Sequence, residues 1–211
     1  MKLEKDMLRL YAITDRGCLR GRDLAQQVEA AITGGVTCIQ LREKDISYEE
    51  LVREAAALKK VCGKYGVPLI VNDDWKAAIE SGADGVHVGI EDAPVAKIRK
   101  AAGRDFIIGA TAKTVEQAKA AEAAGADYLG VGAVFPSPTK TNAVRITPEQ
   151  LRSICAAVSI PAAAIGGITR ENLSEIAGCG QAGIAVVSAI FAPDDVKAAA
   201  EELLAAVNKC L

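Results

Sequence analysis

The chain has 211 residues, of which 50% are hydrophobic and only 4% aromatic, and its formal net charge is −2. This length and composition favour one barrel-sized domain over residues 1–211, with a core of Val, Ile, Leu and Ala. The weak net charge and the scattered Lys and Arg residues provide no basic field for nucleic acid.

The N-terminal segment MKLEKDMLRL lacks the apolar core of a secretory signal, and no apolar run is long enough to cross a bilayer. The six cysteines are widely spaced and form no C-x-x-C motif, which argues against a zinc site or a disulfide framework. Free thiols in a reducing compartment are the expectation, so we predict a cytoplasmic protein that does not bind membranes. The sequence leaves open whether the chain forms a homo-oligomer.

Short β-branched runs alternate with amphipathic stretches rich in Ala, Glu and Lys along the chain. The predicted strands cover residues 10–14, 38–41, 69–71, 85–88, 106–109, 128–131, 162–165 and 183–187. The predicted helices cover residues 22–34, 48–64, 75–82, 93–102, 115–124, 148–157, 170–178 and 194–208. Eight such steps in 211 residues favour an α/β fold, a single-domain (β/α)8 TIM barrel. A doubly wound open sheet is the alternative, but it seldom needs eight regular units.

Two carboxylates follow successive predicted strands, Asp73 after the third and Asp92 after the fourth. Parallel strands end on one rim of a sheet, so the two side chains should lie on the same rim. Paired acidic groups with basic residues nearby suggest a hard metal ion that bridges the protein to a phosphorylated ligand. A helix cap is the alternative role for Asp73, and it is the preferred role for its neighbour Asp74.

The second strand ends in Gln40, Arg42 and Lys44, which alternation places on one side of the chain. The two cations could hold a diphosphate by charge-assisted hydrogen bonds, although basic residues in a solvated loop are also common. Asn72 can donate and accept hydrogen bonds towards a heteroaromatic base. The only histidine, His87, should point into the barrel lumen as a satisfied interior residue rather than act as a catalytic base.

The later strand ends carry hydroxyls and glycines. Thr111 follows the fifth strand, and the long connection over residues 133–147 brings Ser137, Thr139 and Lys140, which suit phosphate oxygens but also ordinary turn chemistry. Gly166-Gly167 and Val187-Ser188 end the last two strands. In barrels, the loops after strands seven and eight often bind a phosphate through backbone N–H groups.

With these residues assembled, the chain resembles the thiamine-phosphate synthase family over nearly its whole length. The motifs that carry the resemblance are QLREKD at residues 40–45, VNDDW at 71–75, GVHVGIED at 85–92, PSPTK at 136–140, AIGGI at 164–168 and VVSAI at 186–190. The resemblance implies a (β/α)8 barrel that joins hydroxymethylpyrimidine diphosphate to a thiazole phosphate and releases pyrophosphate.

The resemblance also implies a role for each matching residue. Magnesium would be held by Asp73 and Asp92. The pyrimidine diphosphate would contact Gln40, Arg42, Lys44, Asn72, Thr111 and Lys140, of which Arg42, Lys44, Thr111 and Lys140 would be catalytic. The thiazole phosphate would contact Ser137, Thr139, Gly167, Val187 and Ser188.

Three residues depart from the family pattern: Ile90 stands where glutamine is frequent, Thr111 where serine is usual, and Lys113 where histidine is frequent. Three other readings remain. A thiazole tautomerase would share the barrel without needing the full magnesium and diphosphate set. A non-catalytic phosphate-ligand sensor would use the same pocket, but the chain has no appended output domain. A sugar-phosphate isomerase would want a carboxylate base with a well-placed histidine or lysine.

Overall fold

Eight parallel strands close into one barrel, which confirms the predicted (β/α)8 fold. The computed structural model describes residues 2–137 and 144–211. Strand β8 pairs with β1 in parallel, with Tyr11 opposite Ala185, and this pairing excludes an open doubly wound sheet. The strands are β1 Leu10–Ile13, β2 Cys38–Leu41, β3 Leu69–Asn72, β4 Gly85–Val88, β5 Ile107–Ala112, β6 Tyr128–Gly132, β7 Ala162–Ile165 and β8 Gly183–Val186.

Helices cover the outside of the barrel. They are α1 Arg16–Leu19, α2 Leu24–Thr33, α3 Tyr48–Tyr65, α4 Trp75–Glu80, α5 Val95–Ala102, α6 Val115–Ala123, α7 Pro148–Ala156, α8 Ser188–Phe191 and α9 Val196–Cys210, with single 3₁₀ turns at Lys5–Leu8 and Leu173–Ile176. In the parts of the chain that the structure describes, none of these helices combines the length and the apolarity that a membrane span requires.

Side-chain caps begin most of the longer helices. Ser47 and Thr147 form capping boxes with Glu50 and Gln150, and Pro148 occupies the first turn of α7. Asp74 accepts hydrogen bonds from the N–H groups of Lys76 and Ala77, so its predicted role as the cap of α4 is confirmed. These caps fix where each strand-to-helix loop ends and the helix begins.

The helix predicted over residues 170–178 is wrong, because only one 3₁₀ turn forms there. The Asn172 side chain accepts from the N–H of Thr169 and donates to the carbonyl of Gly167, which folds the start of the segment into a turn. Gly178 and Gly180 then adopt positive φ angles and end the segment. The short helices α1 and α8 were not predicted, because four residues are too few to show the hydrophobic periodicity of a helix.

The barrel has two cores, one on each face of its sheet. Residues such as Val86, Val88 and Leu129 point outward into the apolar layer beneath the helices. The alternate positions fill the lumen, with Tyr11, Cys38, Ile70, Ile107, Tyr128, Ala163 and Ala185 in one buried cluster. His87 faces the lumen between its outward-facing valines, as predicted, because side chains alternate along a strand.

Glycines make room for the large lumen side chains. A Cβ at Gly109 would lie 2.1 Å from the Tyr128 ring, and one at Gly130 would lie 2.9 Å from the His87 ring. Two barrel positions without side chains therefore accommodate two rings at the centre of the lumen. Tyr11 packs edge-on against Tyr128, with ring centroids 5.9 Å apart.

Two glycine substitutions should change stability in opposite directions. Gly183→Ala places a Cβ 1.9 Å from the carbonyl oxygen of Leu8, and we expect this overpacking to cost about 1–3 kcal/mol of unfolding free energy. Gly63→Ala in α3 meets nothing within 4 Å and should add about 0.5–1 kcal/mol through helix propensity. Urea unfolding of both variants measures the difference, and a fully stable Gly183→Ala protein would contradict the close packing.

Candidate active site

An acidic pair lies where β3 and β4 end. The Asp92 carboxylate lies close enough to raise the pKa of Asp73, so the two lie on one rim, as predicted. Asn72 donates to Asp73 over 2.8 Å, and the N–H of Gly89 donates to Asp92 over 2.7 Å. Hydrogen bonds from the Asn72 side chain and the Gly89 backbone therefore fix the positions of the two carboxylates.

Asp73 has an unusual backbone conformation. Its φ is 62°, in the left-handed region that non-glycine residues seldom adopt. Its N–H donates to the carbonyl of His87 over 2.8 Å, so the β3–β4 pairing continues one residue past the strand. The backbone is therefore strained at the residue that places this carboxylate on the rim. Such strain clusters at functional sites.

Two cations reach the same rim from β2. Lys44 forms a 2.7 Å ion pair with Asp73, and Arg42 lies 3.2 Å from Asp15. Burial raises the pKa of Asp73, the ammonium of Lys44 opposes that rise, and the nearby Asp92 carboxylate adds to it. Removal of Lys44 would leave the partly buried Asp73 carboxylate beside the exposed Asp92 carboxylate without the ammonium that now pairs with it.

A buried carboxylate anchors the loop that carries these cations. Only 3% of the Glu43 side chain is exposed, and its Oε2 accepts from the guanidinium of Arg16 over 2.8 Å. Arg16 also pairs with Glu54 of α3. Burial raises the pKa of Glu43, and Arg16 lowers it. This ion-pair group ties the β1 and β2 loops to α3, and the two loops line a cavity of about 320 Å³.

Two predicted substrate residues contact a polar chain in the lumen. Gln40 is buried and donates from Nε2 to the Tyr11 hydroxyl over 2.5 Å. Thr111 lies 3.1 Å from Nε2 of His87, whose Nδ1 lies 3.1 Å from the Tyr128 hydroxyl. His87 is therefore a satisfied interior residue, as predicted. Burial lowers its pKa to about 4, so the imidazole is neutral at pH 7.

The end of β7 lies beside the loop that leaves β6. Gly166 and Gly167 have positive φ angles, and a Cβ at Gly167 would lie 2.1 Å from the carbonyl oxygen of Pro136. Ser188 begins α8, with Val187 directly before it. The predicted phosphate residues Gly167, Val187 and Ser188 thus follow neighbouring strands. Thr139 and Lys140 lie outside the described residues, whereas Ser137 lies at the edge of the described part.

The residues of the rim fit a hard divalent cation. Within residues 2–137 and 144–211, no three His, Cys, Asp or Glu side chains form a ready metal cage. The pair Asp73 and Asp92 offers two carboxylates on one side, and Mg²⁺ is usually held by one or two carboxylates plus phosphate oxygens and water. This donor set suits an ion that arrives with an anionic ligand.

Several residues of this site were missed in the sequence. Tyr11 and Tyr128 lie at inward strand positions, where strict alternation through Ile13 and Gly130 could have indicated them. Glu43 gave no signal, because a carboxylate between two cations in a loop normally faces solvent. Its burial depends on Arg16, which comes from a different loop.

Comparisons with known proteins agree with this geometry. Residues 10–190 match the family model described as thiamine monophosphate synthase. Among named relatives, the thiamine-phosphate synthase of Ruminiclostridium cellulolyticum is 47% identical over 92% of this chain and 93% of its own length. That of Clostridium tetani is 45% identical over 95% of this chain and 96% of its own. A solved thiamine phosphate pyrophosphorylase from Pyrococcus furiosus superposes with a TM-score of 0.90 at 39% identity, covering 98% of both chains.

The closed barrel and its polar rim, together with these relatives, define a transferase of the (β/α)8 class. Within that class, the chain belongs to the thiamine monophosphate synthase family.

The depressed pKa of His87 predicts a pH-dependent stability. Between its folded pKa of about 4 and an unfolded value of about 6.5, the unfolded chain binds more protons than the native protein. Stability from this residue is therefore complete above about pH 6.5 and is lost as the pH falls through about 4, by up to about 3 kcal/mol. Urea unfolding at several pH values should show this loss, and His87→Gln should flatten it. Parallel pH curves for the two proteins would contradict the prediction.

Proposed function

We propose that this chain condenses 4-amino-5-hydroxymethyl-2-methylpyrimidine diphosphate with 4-methyl-5-(2-hydroxyethyl)thiazole phosphate, with Mg²⁺ at Asp73 and Asp92. The products are thiamine phosphate and pyrophosphate. The observation that carries the proposal is the Lys44–Asp73–Asp92 group on the rim, beside Gln40 and Thr111 of neighbouring strands. Family membership supplies the reaction, and this group supplies the charges that the reaction needs.

The pyrimidine diphosphate would lie across the ends of β2 to β5. Gln40 and Asn72 orient the pyrimidine ring, while Arg42 and Lys44 meet the diphosphate with positive charge. Both cations now pair with carboxylates, Asp15 and Asp73. These carboxylates hold the cations in position before an anion arrives, which lowers the reorganisation that binding requires.

Bond breaking at the pyrimidine methylene comes first in this proposal. The C–O bond to the diphosphate breaks, and pyrophosphate leaves with the bonding electron pair. The electron-rich aminopyrimidine stabilises the resulting benzylic-type cation. The lone pair of the thiazole nitrogen then forms the new C–N bond. Asp73 and Asp92 would hold Mg²⁺, which would neutralise charge on the departing diphosphate.

These steps depend on correctly positioned charges and on the orientation of the substrates more than on a general base. The neutral, buried His87 is consistent with that demand. We therefore assign catalytic roles to the residues predicted from the sequence, Arg42, Lys44, Thr111 and Lys140. The role of Lys140 is inferred from the sequence alone, because this residue lies outside the described part of the chain.

The thiazole phosphate would bind across the ends of β6 to β8, at Ser137, Thr139, Gly167, Val187 and Ser188. Loops after strands seven and eight form the usual phosphate site of such barrels. Gly167 lies close to the Pro136 carbonyl, and the absence of a side chain there allows the β6 and β7 loops to pack together. The hydroxyl of Ser188 would donate to the phosphate together with those of Ser137 and Thr139.

The thiazole tautomerase reading is a second candidate, and the rim charges disfavour it. A tautomerase transfers no diphosphate, yet Arg42, Lys44, Asp73 and Asp92 are all present and interact with one another or their neighbours. An assay of pyrophosphate release with both substrates, and with each alone, separates the candidates. The proposed synthase requires both substrates, a tautomerase releases none, and a ligand sensor binds without turnover.

Activity should require a divalent ion and both rim carboxylates. Asp73→Asn and Asp92→Asn should each lower kcat/KM on the order of 100-fold, or about 3 kcal/mol of transition-state stabilisation. Asp74→Asn is the matched control, because asparagine caps α4 as well as aspartate does, so its rate should stay near that of the wild type. Pyrophosphate release with and without a chelator measures all four proteins. Turnover that a chelator leaves unchanged would refute the metal assignment.

The thiazole phosphate site should be separable from the diphosphate site. Ser188→Ala removes one hydroxyl donor, which should raise KM for thiazole phosphate about tenfold and leave KM for the pyrimidine diphosphate nearly unchanged. Ser153→Ala is the control, since that hydroxyl donates to the Glu149 carbonyl within α7. Each substrate is titrated at saturation of the other. Equal changes in both KM values would refute a separate thiazole phosphate site at Ser188.

A further inference from the structure

A continuous chain of hydrogen bonds crosses the barrel lumen between two predicted substrate residues. It runs from Gln40 to the Tyr11 hydroxyl over 2.5 Å, on to the Tyr128 hydroxyl over 2.8 Å, and to Nδ1 of His87 over 3.1 Å. The imidazole continues it from Nε2 to the Thr111 hydroxyl over 3.1 Å. The two tyrosines and the histidine have no other place in the proposed reaction.

The direction of this chain follows from proton counting. Each phenol carries one proton, and Nε2 of Gln40 donates to Tyr11. The geometry permits either hydroxyl to donate, but only donation from Tyr11 to Tyr128 gives the Tyr11 proton an acceptor within the described residues. Tyr128 in turn donates to His87, so Nδ1 is the bare nitrogen of the neutral ring. The ring proton is then on Nε2, and it is donated to the Thr111 oxygen.

We infer that Tyr128 and His87 are positioning residues that make the Thr111 hydroxyl a hydrogen-bond donor towards the rim. An oxygen that accepts from Nε2–H keeps its own proton for another acceptor. The departing diphosphate is such an acceptor, and a hydroxyl donor to an anion forms a charge-assisted bond. In the reversed chain, Thr111 would donate to His87 and would present only lone pairs to that anion.

The same polarity orients the other end of the chain. Nε2 of Gln40 is engaged in the lumen, which leaves Oε1 as the acceptor of this amide. An acceptor there suits the exocyclic amino group of the pyrimidine. The inference rests on the proposed function for the identity of these substrate groups, whereas the tautomer of His87 is a property of the protein alone.

The single histidine allows a direct measurement. In protein labelled with ¹⁵N-histidine, all imidazole signals belong to His87, and the ¹⁵N shifts separate a bare from a protonated ring nitrogen. We expect a bare Nδ1 and a protonated Nε2 without substrates. Protonated Nδ1 with bare Nε2 would overturn the inference. This reading does not depend on whether the enzyme turns over the proposed substrates.

Two matched variants connect the tautomer to catalysis. Tyr128→Phe removes the donor to Nδ1, so a mixture of tautomers should appear and kcat should fall about tenfold with little change in KM for thiazole phosphate. Tyr11→Phe removes the hydroxyl that directs the Tyr128 proton to His87, so a mixture of tautomers should appear there as well. An unchanged tautomer in Tyr11→Phe would overturn the proposed direction of the chain. A shifted tautomer with unchanged kcat in Tyr128→Phe would overturn the positioning role.

Substitutions at the end of the chain provide a test that does not depend on the tyrosine variants folding. Thr111→Val removes the hydroxyl and should lower kcat at least as much as Tyr128→Phe. Thr111→Ser keeps the hydroxyl, so it should lose less activity than Thr111→Val and should keep the wild-type tautomer. Full activity in Thr111→Val would overturn the inference. An inactive wild-type protein would refute the proposed reaction, and the ¹⁵N shifts would still decide the direction of the chain.

Discussion

Closure of the sheet between β8 and β1 is the constraint on which the rest of the structure depends. Once the ladder closes, every second residue of each strand must occupy a narrow lumen, and every strand must end on one rim. Tyr11 of β1 and Tyr128 of β6 come from strands that are not neighbours in the barrel, yet their hydroxyls lie 2.8 Å apart. The same closure brings Lys44, from the loop after β2, to Asp73, from the end of β3.

The lumen is polar at its centre, which a small barrel can tolerate only if every group finds a partner. An unpaired buried hydroxyl or imidazole costs roughly 1–3 kcal/mol. Here Gln40, Tyr11, Tyr128, His87 and Thr111 satisfy one another in series. Because a half-satisfied network is worse than an apolar core, a substitution at any link should affect both stability and the groups at the rim.

Much of the architecture was predictable because its signals are local. Alternation located the eight strands to within a few residues, and the acids after β3 and β4 indicated the rim carboxylates. The failures have long-range causes. Residues 170–178 carry helix-forming side chains, but the Asn172 side chain closes a turn on Gly167. Glu43 becomes a buried anchor only because Arg16, 27 residues away in sequence, reaches it. No local pattern contains either contact.

The two ring-accommodating glycines of the lumen have an evolutionary consequence. The Tyr128 ring occupies the space that a side chain at Gly109 would fill, and the His87 ring occupies the space that a side chain at Gly130 would fill. Neither glycine can gain a methyl group unless the facing ring becomes smaller or moves, and neither ring can be gained by a lineage that lacks the glycine. Each glycine and the ring that faces it should therefore be inherited together. Among diverged relatives, the residues at the two positions of each pair should change together or not at all.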